Sequence, residues 1–257
     1  MRLKNLIVET KERSVPIPHP YEALDAIKAH CKNALSNHKE GKRVYRGMQS
    51  DGNAYIVKPG EHTRVSANTY NTYTLLIDHS KKWAKYPKRS KSIICSTNST
   101  GPNSYGEVYV VFPKDGYKFG VCPTYDMWES FHTHLKTSLD GFNIMLERYL
   151  HDLDIDIHID YLRKYEDLEL IGKKIDLVLQ NTKREEPYPF KWMSEYDRYG
   201  NFMDLLEYLF DPEDNGFKIE TDISRLPNDD HEIWTDSESY LISYDWLMAG
   251  NNQRLIG

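Results

Sequence analysis

An α+β fold is predicted by two kinds of pattern that occupy different parts of the chain. Apolar residues at helical spacing predict a first helix over residues 21–39 and mostly helical structure over residues 125–210. Short alternating runs of β-branched and aromatic residues, bounded by turn residues, predict strands in the remainder. Because no repeat and no long flexible linker interrupts the chain, we expect a single domain over residues 1–257. The predicted strands cover residues 42–48, 92–98, 107–113, 217–222, 229–235 and 239–244.

Composition excludes several classes of protein. With 39% hydrophobic and 28% charged residues the chain is expected to be globular rather than disordered. A net charge of −6 argues against a surface-wide nucleic-acid platform but allows a local basic groove. The three widely spaced cysteines form neither a disulfide framework nor a zinc pattern. Residues 1–10 lack the apolar core of a secretory signal, and no run approaches the ~20 apolar residues of a membrane span, so we expect a cytoplasmic protein.

The strand predicted over residues 42–48 carries a candidate anion ligand. Alternation along this strand predicts that Val44 and Arg46 face one side and Tyr45 the other. The planar fork of an arginine matches a phosphate bidentately, and Gly47 allows a turn or a close approach. Taken alone, Arg46 is also what an ordinary surface strand would show.

A second polar and aromatic stretch follows at residues 63–78. We expect a helix over residues 68–77, with Tyr70 and Tyr73 on one face. The functional interpretation is a cleft wall in which Arg64 is a second anion ligand. The structural interpretation is a tyrosine-rich packing helix.

Residues 81–91 form a basic stretch with interleaved aromatic residues. Cations that follow phosphates and rings that stack on bases are typical of single-stranded nucleic-acid binding, whereas a solvated loop around Pro87 is the alternative. The expected nucleic-acid ligands are Lys82, Trp83, Lys85, Lys88 and Arg89.

Aspartates alternate with apolar residues over residues 152–160. This pattern predicts a strand with one polar and one buried face. A hard-cation site is the less favoured alternative, because no EF-hand spacing supports it, and we expect no metal.

Three short motifs occur in a fixed order on predicted strands. They are Tyr45-Arg46-Gly47, Cys95-Ser96-Thr97-Asn98 and Asp230-His231-Glu232. Together they resemble the Arg-Ser-Glu signature of ADP-ribosyltransferases, from which Asn98 and Asp230 depart, since serine and glutamate or glutamine are usual there. The resemblance implies a split, mixed β-sandwich with helices around an NAD cleft. It also implies that residues 125–210 are a helical insertion, because the second and third motifs are unusually far apart.

The resemblance also implies roles for individual residues. Glu232 would stabilise the oxocarbenium-like transition state and align the acceptor, which Asp230 would help to orient. Ser96 and Thr97 would hold Glu232 in place. Glu238, before the last strand, is the rival catalytic carboxylate. The expected NAD ligands are Arg46, Gly47, Ser96, Thr97, Arg64 and Tyr73, of which Tyr73 would stack on nicotinamide.

The acceptor is expected to be nucleic acid, with single-stranded RNA favoured because its bases are accessible without flipping. Residues 64–96 resemble phage and phage-defence proteins, among them RNA-modifying toxins of toxin–antitoxin–chaperone systems. That resemblance implies an intracellular toxin or effector with an antitoxin or chaperone as partner. A protein acceptor and a non-enzymatic nucleic-acid-binding module remain the alternatives.

Overall fold

The chain forms two compact units in the computed structural model, which describes residues 14–61, 70–155, 159, 162–181 and 191–256. We expected a single domain with residues 125–210 inserted. Besides most of that predicted insertion, the second unit contains the described residues of Thr69–Lys85, which precede it by three strands. Unit 1 takes the described residues of Met1–Asn68, Tyr86–Asp126 and Lys218–Gly257, and unit 2 those of Thr69–Lys85 and Met127–Phe217.

Unit 1 is built on one sheet, whose described strand pairs are all antiparallel. The α+β class is thereby confirmed, whereas the mixed strand directions implied by the resemblance are not seen. In spatial order the strands are β1-β3-β9-β5-β2-β4-β8-β6-β7. They span Ser14–Pro16 (β1), Tyr45–Met48 (β2), Ala54–Val57 (β3), Ile93–Ser96 (β4), Glu107–Pro113 (β5), Phe119–Val121 (β6), Lys218–Glu220 (β7), Glu232–Thr235 (β8) and Ser239–Ser243 (β9).

The sheet is weakest between β2 and β4. These strands share a single register pair, Tyr45 with Ser96, whereas β4 and β8 share four pairs. β4 and β5 are consecutive along this part of the chain and could have paired as neighbours. Instead β2 lies between them, and all four residues of β2 pair with β5. The two halves of the sheet are thus joined through one residue pair.

The first predicted helix is divided in two. We expected one helix over residues 21–39, but α1 ends at His30 and α2 begins at Lys32. The carboxylate of Asp115 accepts hydrogen bonds from the backbone N–H groups of Lys32 and Asn33, at 3.1 and 2.9 Å, and so caps α2. A residue distant in sequence therefore determines where the helix breaks.

The helices of unit 1 cover an apolar core that includes the sheet. Ile27, Cys31 and Leu35 of the α1–α2 segment are buried in the same cluster as Phe112 and Ile242 of β5 and β9. This burial is the main stabilising contribution of these helices. The helices of unit 1 span Pro20–His30 (α1), Lys32–Lys39 (α2), Tyr244–Trp246 (α8) and Asn252–Ile256 (α9).

Unit 2 is helical in its described part. Its core contains aromatic residues that contact one another, with Phe210 packed on both Phe131 and Tyr73. The strand predicted over residues 152–160 is not formed in the described part, since Asp152 ends a helix and residues 153 and 154 form a turn. Residues 156–158 and 160 lie outside the described residues. The helices span Asn71–His79 (α3), Leu139–Asp152 (α4), Tyr165–Asn181 (α5), Tyr196–Tyr199 (α6) and Phe202–Leu209 (α7).

Helix α3 replaces the helix expected over residues 68–77. It begins at Asn71, and Asn68, at which the expected helix would start, lies outside the described residues. None of the helices in the described part of the chain has the length and apolar character needed to cross a membrane.

Candidate active site

The three motif strands are direct neighbours in the sheet of unit 1, in the order β2-β4-β8. Ser96 lies opposite Tyr45 on one side and opposite Glu232 on the other. Because neighbouring strands are about 4.8 Å apart, residues more than 180 positions apart in sequence meet within two strand spacings, about 10 Å. Tyr45, Arg46, Ser96 and Glu232 are all partly exposed.

Arg46 occupies the point at which β2 and β4 diverge. The backbone N–H of Glu232 donates to the Thr124 carbonyl, and its C=O accepts from the Cys122 N–H, so both groups point toward the β6 side. The alternating hydrogen-bond pattern of an antiparallel sheet then directs the Ile94 carbonyl toward β2. Arg46 Nη1 donates to this carbonyl at 2.7 Å, in the place of a strand partner. The guanidinium is therefore held between the two strands rather than displayed on a flexible side chain.

Gly47 has a structural explanation in the protein itself. A Cβ atom at this position would come within 1.9 Å of the Pro102 carbonyl oxygen. The close approach predicted from the glycine is thus made by the turn at Gly101–Tyr105, which packs on β2. The expected role of Gly47 as an NAD ligand is not needed to explain this residue.

Ser96 bonds a different carboxylate from the one expected. Its Oγ donates to Asp230 Oδ1 at 2.7 Å and accepts from the backbone N–H of Asn98 at 2.9 Å. A Cβ on Gly101 would come within 3.2 Å of Asp230 Oδ2, so the turn at residues 101–105 also lies close to this carboxylate. Ser96 therefore positions Asp230 rather than Glu232, which corrects the role assigned to it.

Thr97 extends the contact between β4 and the segment before β8. Its backbone N–H donates to the His231 carbonyl at 3.1 Å, and its Oγ1 accepts from the His231 N–H at 2.9 Å. Oγ1 also donates to the Asp229 carbonyl. The hydroxyl of Thr97 is thus engaged in holding the Asp230-His231-Glu232 motif beside β4.

Glu232 is paired with a buried arginine. Arg89 Nη2 lies 2.6 Å from Glu232 Oε1, and the exposed fractions of the two side chains are 2% and 13%. Trp234, two residues along the same face of β8, lies under the guanidinium at 5.6 Å from ring centroid to Arg89 Cζ. Sequence reasoning missed this partner of Glu232. Its signal was present, because Arg89 is the single arginine among the lysines of residues 81–91, and arginine is preferred for buried ion pairs.

Two predicted nucleic-acid ligands are therefore corrected. Arg89 is buried against Glu232 and Trp234. Trp83 is 2% exposed, and its indole N–H donates to the Phe210 carbonyl at 2.9 Å within unit 2. Neither side chain presents a surface on which a phosphate or a base could bind.

The lysines of the same stretch are exposed but have acidic neighbours. Lys82 Nζ lies 2.5 Å from Asp211 Oδ2, and Lys85 pairs with Glu213, both within unit 2. Lys88 is exposed in unit 1, and its backbone N–H donates to Asp236. These three lysines remain compatible with a phosphate ligand, because exposed ion pairs exchange partners at small cost.

The remaining predicted NAD ligands do not join this cluster. Tyr73 is buried in unit 2, where its hydroxyl donates to Asn143 and its ring stacks on Phe210. Burial raises the pKa of Tyr73 well above its usual value, as expected of a neutral core phenol. It is a packing residue, and the expected stacking on nicotinamide is corrected. Arg64 lies outside the described residues.

The rival carboxylate Glu238 lies in another part of the sheet. Its backbone carbonyl accepts from Lys114 and its side chain pairs with the Lys114 ammonium. It precedes β9, which is separated from β4 by β5 and β2. Glu238 also lies beyond the Pro113 end of β5, about 17 Å along that strand from the register position of Arg46. The strand order thus brings Glu232, and not Glu238, to Ser96.

Cysteine and metal chemistry find no support in the described residues. Burial raises the pKa of Cys31 and Cys95 to about 12 and that of Cys122 well above its usual value, so none is a ready thiolate. No group of three or more histidine, cysteine, aspartate or glutamate residues in the described part of the chain could hold a metal ion.

In comparisons with known proteins, no family model, no curated protein and no solved structure matches this chain.

Proposed function

We propose that this chain is an NAD-dependent ADP-ribosyltransferase of the Arg-Ser-Glu type, acting as an intracellular toxin or effector, with Glu232 as its catalytic carboxylate. The observation that carries the proposal is the adjacency of β2, β4 and β8, which gathers three motifs from distant parts of the sequence. The order of the chain does not require these three strands, which are far apart in sequence, to be neighbours in the sheet.

The division between β2 and β4 gives further support. One register pair joins the two halves of the sheet, and Arg46 fills the divergence beyond it. A sheet that is divided beside the arginine is compatible with the split architecture that the resemblance implies, although the described strand pairs are antiparallel. The fold of that family is part of the proposal.

The proposed reaction breaks the N-glycosidic bond of NAD between nicotinamide and C1′ of the ribose. The bonding electron pair leaves with nicotinamide, and C1′ acquires oxocarbenium character. The Glu232 carboxylate would stabilise this positive charge through the ribose and would take the proton from the acceptor as the new bond to C1′ forms. A carboxylate fixed by a partner suits this task, because preorganised charges need no rearrangement during the reaction.

Arg46 is the proposed ligand of an NAD phosphate. Its guanidinium is fixed at the junction of β2 and β4 by the Ile94 carbonyl, and β4 lies between this junction and the strand of Glu232. Ser96, Thr97 and Asp230 form the hydrogen-bonded frame that holds the two strands together at this point. In this proposal Asp230 has a positioning role, because its Oδ1 accepts a hydrogen bond from Ser96 and so helps to hold the two strands together.

For the acceptor we propose nucleic acid, with single-stranded RNA first. The support is the exposed Lys82 and Lys85, whose ion pairs are of the weak, solvent-screened kind, together with the exposed Lys88. Trp83 and Arg89 no longer contribute to this argument. A protein acceptor is the second candidate, and an inhibitory antitoxin or chaperone partner is part of the same proposal.

The first experiment measures nicotinamide release from NAD by the purified protein. We expect Glu232→Gln to lower the rate about 10²-fold or more, as for loss of a general base, while circular dichroism shows a folded variant. Glu238→Gln is the matched control, since it removes a carboxylate from the same unit away from Ser96. Activity that survives in Glu232→Gln and is lost in Glu238→Gln would reverse the assignment. Folded wild-type protein without nicotinamide release would leave a binding module as the better hypothesis.

The acceptor is identified with labelled NAD in a cell lysate. Label that is released by ribonuclease supports RNA, and label that is released by deoxyribonuclease supports DNA. Label that only protease removes would replace the nucleic-acid acceptor by a protein.

A further inference from the structure

A short segment of unit 1, residues 86–92, is fastened onto the face of β8 that carries Glu232 and Trp234. The ring of Tyr86 stacks on Trp234 at 6.1 Å between centroids and 15° between planes. The Trp234 indole N–H donates to the Pro87 carbonyl at 2.9 Å. Ser92 Oγ donates to the Lys88 carbonyl at 2.7 Å and closes the turn that contains Arg89. The segment is therefore held from both sides of Arg89.

Packing around Trp234 sets the distance between residues 86–92 and β8. A Cβ on Gly120, in the neighbouring strand β6, would come within 2.1 Å of the indole ring. The indole is fully buried, and the guanidinium of Arg89 lies over its ring in a cation–π contact. Neither the ring nor the guanidinium has room to change its position independently of the other.

An arginine in this place is not explained by stability alone. A buried ion pair is weak evidence for stability, because well-packed apolar residues of similar volume often replace one without loss. Glu232 differs from a core residue in that 13% of its side chain stays exposed, on the strand residue that lies opposite Ser96. The carboxylate oxygen that faces Arg89 is buried, so the ion pair anchors the inner side of a partly exposed group.

We propose that Arg89 is a positioning residue that fixes the Glu232 carboxylate for cleavage of NAD, an inference that rests on the function proposed above. Arg89 does not touch the substrate, since it is buried. It acts by fixing one carboxylate oxygen, which sets the direction of the other. A displacement of about 1 Å at a reacting group can lower a rate about 10²-fold, so this restraint is expected to appear in kcat.

The test is a double-mutant cycle on nicotinamide release. Arg89→Met removes the guanidinium and keeps an apolar stem, and we expect kcat to fall 30- to 100-fold (about 10²-fold at most) with KM for NAD changed less than about threefold, since Arg89 makes no ground-state contact with NAD. Arg89→Lys keeps a charge near Glu232 and is expected to recover about tenfold of the loss. Combined with Glu232→Gln, Arg89→Met should change kcat less than about twofold, because its effect requires the carboxylate.

Lys114→Met is the matched control for the loss of a cation. It breaks the ion pair of Glu238 in the same unit and should leave kcat and KM unchanged. All rates are measured at a temperature at which thermal unfolding shows every variant to be folded. If Arg89→Met does not fold, the same cycle is run with Arg89→Lys, for which a roughly three- to tenfold lower kcat and the same dependence on Glu232 are expected.

The outcomes separate this inference from the proposed function. If the wild-type protein is active and Arg89→Met has the same kcat, the positioning role is overturned and the transferase proposal remains intact. Equal losses from Arg89→Met in the wild-type and Glu232→Gln backgrounds also overturn it, because they indicate a general structural effect. Folded wild-type protein without activity overturns the proposed function and this inference together.

Discussion

The basic stretch at residues 81–91 divides into a lysine half, residues 81–85 in unit 2, and an arginine half, residues 86–91 in unit 1. The two halves have opposite surroundings. In unit 2, Lys85 pairs with Glu213 where the side chains are 55% and 70% exposed. Four residues later, in unit 1, Arg89 pairs with Glu232 where the corresponding fractions are 2% and 13%. Trp83 and Tyr86, the two aromatic residues of the stretch, are both buried.

The comparison shows that charge density along a chain does not define a surface. A solvent-screened pair such as Lys85–Glu213 contributes little to stability, whereas a desolvated one ties its partner to a single geometry. The lysine half thus keeps its cations available to a mobile ligand. The arginine half uses its cation within the fold, beside the residue that we propose as catalytic.

Stability gives the largest expected contrast between the halves. We expect Arg89→Met to lower the free energy of unfolding by about 3–5 kcal/mol, because it leaves the Glu232 carboxylate desolvated without its partner. Lys85→Met should cost less than about 1 kcal/mol. Urea denaturation measures both. Replacing both members of the buried pair, in Arg89→Met/Glu232→Leu, should recover most of the loss, and equal costs for the two single variants would contradict the comparison.

The aromatic residue of the lysine half tests the same contrast in unit 2. We expect Trp83→Ala to cost about 3–5 kcal/mol, because a buried indole that bonds the Phe210 carbonyl is lost. Trp83→Phe should cost less, since it removes the hydrogen bond but keeps part of the buried ring packing. A tryptophan that served as an exposed stacking surface would change stability by less than about 0.5 kcal/mol, so a loss of that size would restore the nucleic-acid role of Trp83.

The exposed lysines give an expected effect of about tenfold. Replacing Lys82, Lys85 and Lys88 together by glutamine should lower transfer to RNA relative to nicotinamide release. If all three contact phosphates, the slope of log activity against log salt should become shallower by about 2, at about 0.7 per phosphate of a single strand. Lys173→Gln/Lys174→Gln, which removes exposed charges from α5, is the control. An unchanged salt slope would remove these lysines from the acceptor site.

The smallest expected effect is a pH dependence in the lysine half. Burial acts to raise the pKa of Asp211, but the hydrogen bond from Lys82 and those from two backbone amides outweigh it and hold the pKa below its usual value. A lowered folded-state pKa stabilises the fold above the unfolded-state value, and this contribution is lost as pH falls through the folded-state value. The stability of the wild type should therefore decline more steeply below about pH 4 than that of Lys82→Met. The difference should be under about 1 kcal/mol, because Lys82 is exposed, and parallel pH curves would show that the ion pair contributes nothing.

Local patterns in the sequence were sufficient for several elements. The strand predicted over residues 107–113 coincides with β5, and the predicted strand over residues 92–98 contains β4. Alternation and β-branched residues carry this information because they reflect which face of a strand is buried. The order of the Arg46, Ser96 and Glu232 motifs was also readable, as was the α+β class.

The neighbours of those elements depended on the tertiary structure. Sequence adjacency suggested that β4 pairs with β5, but β2 lies between them, because strand pairing is decided by long-range packing rather than by proximity in the chain. The break between α1 and α2 required Asp115, which lies more than 80 residues downstream. The partner of Glu232 likewise required a segment some 140 residues upstream to dock on β8.

The sequence by itself determined which residue types were available for chemistry and on which strands they lay. Only the tertiary structure decided that Ser96 bonds Asp230, that Arg89 and not Ser96 pairs with the Glu232 side chain, and that Tyr73 and Trp83 are core residues. The physical reason is that burial and pairing of a polar group depend on contacts between segments far apart in the chain. A motif reports identity and spacing, whereas the desolvation that gives a charge a fixed geometry arises when those segments pack together.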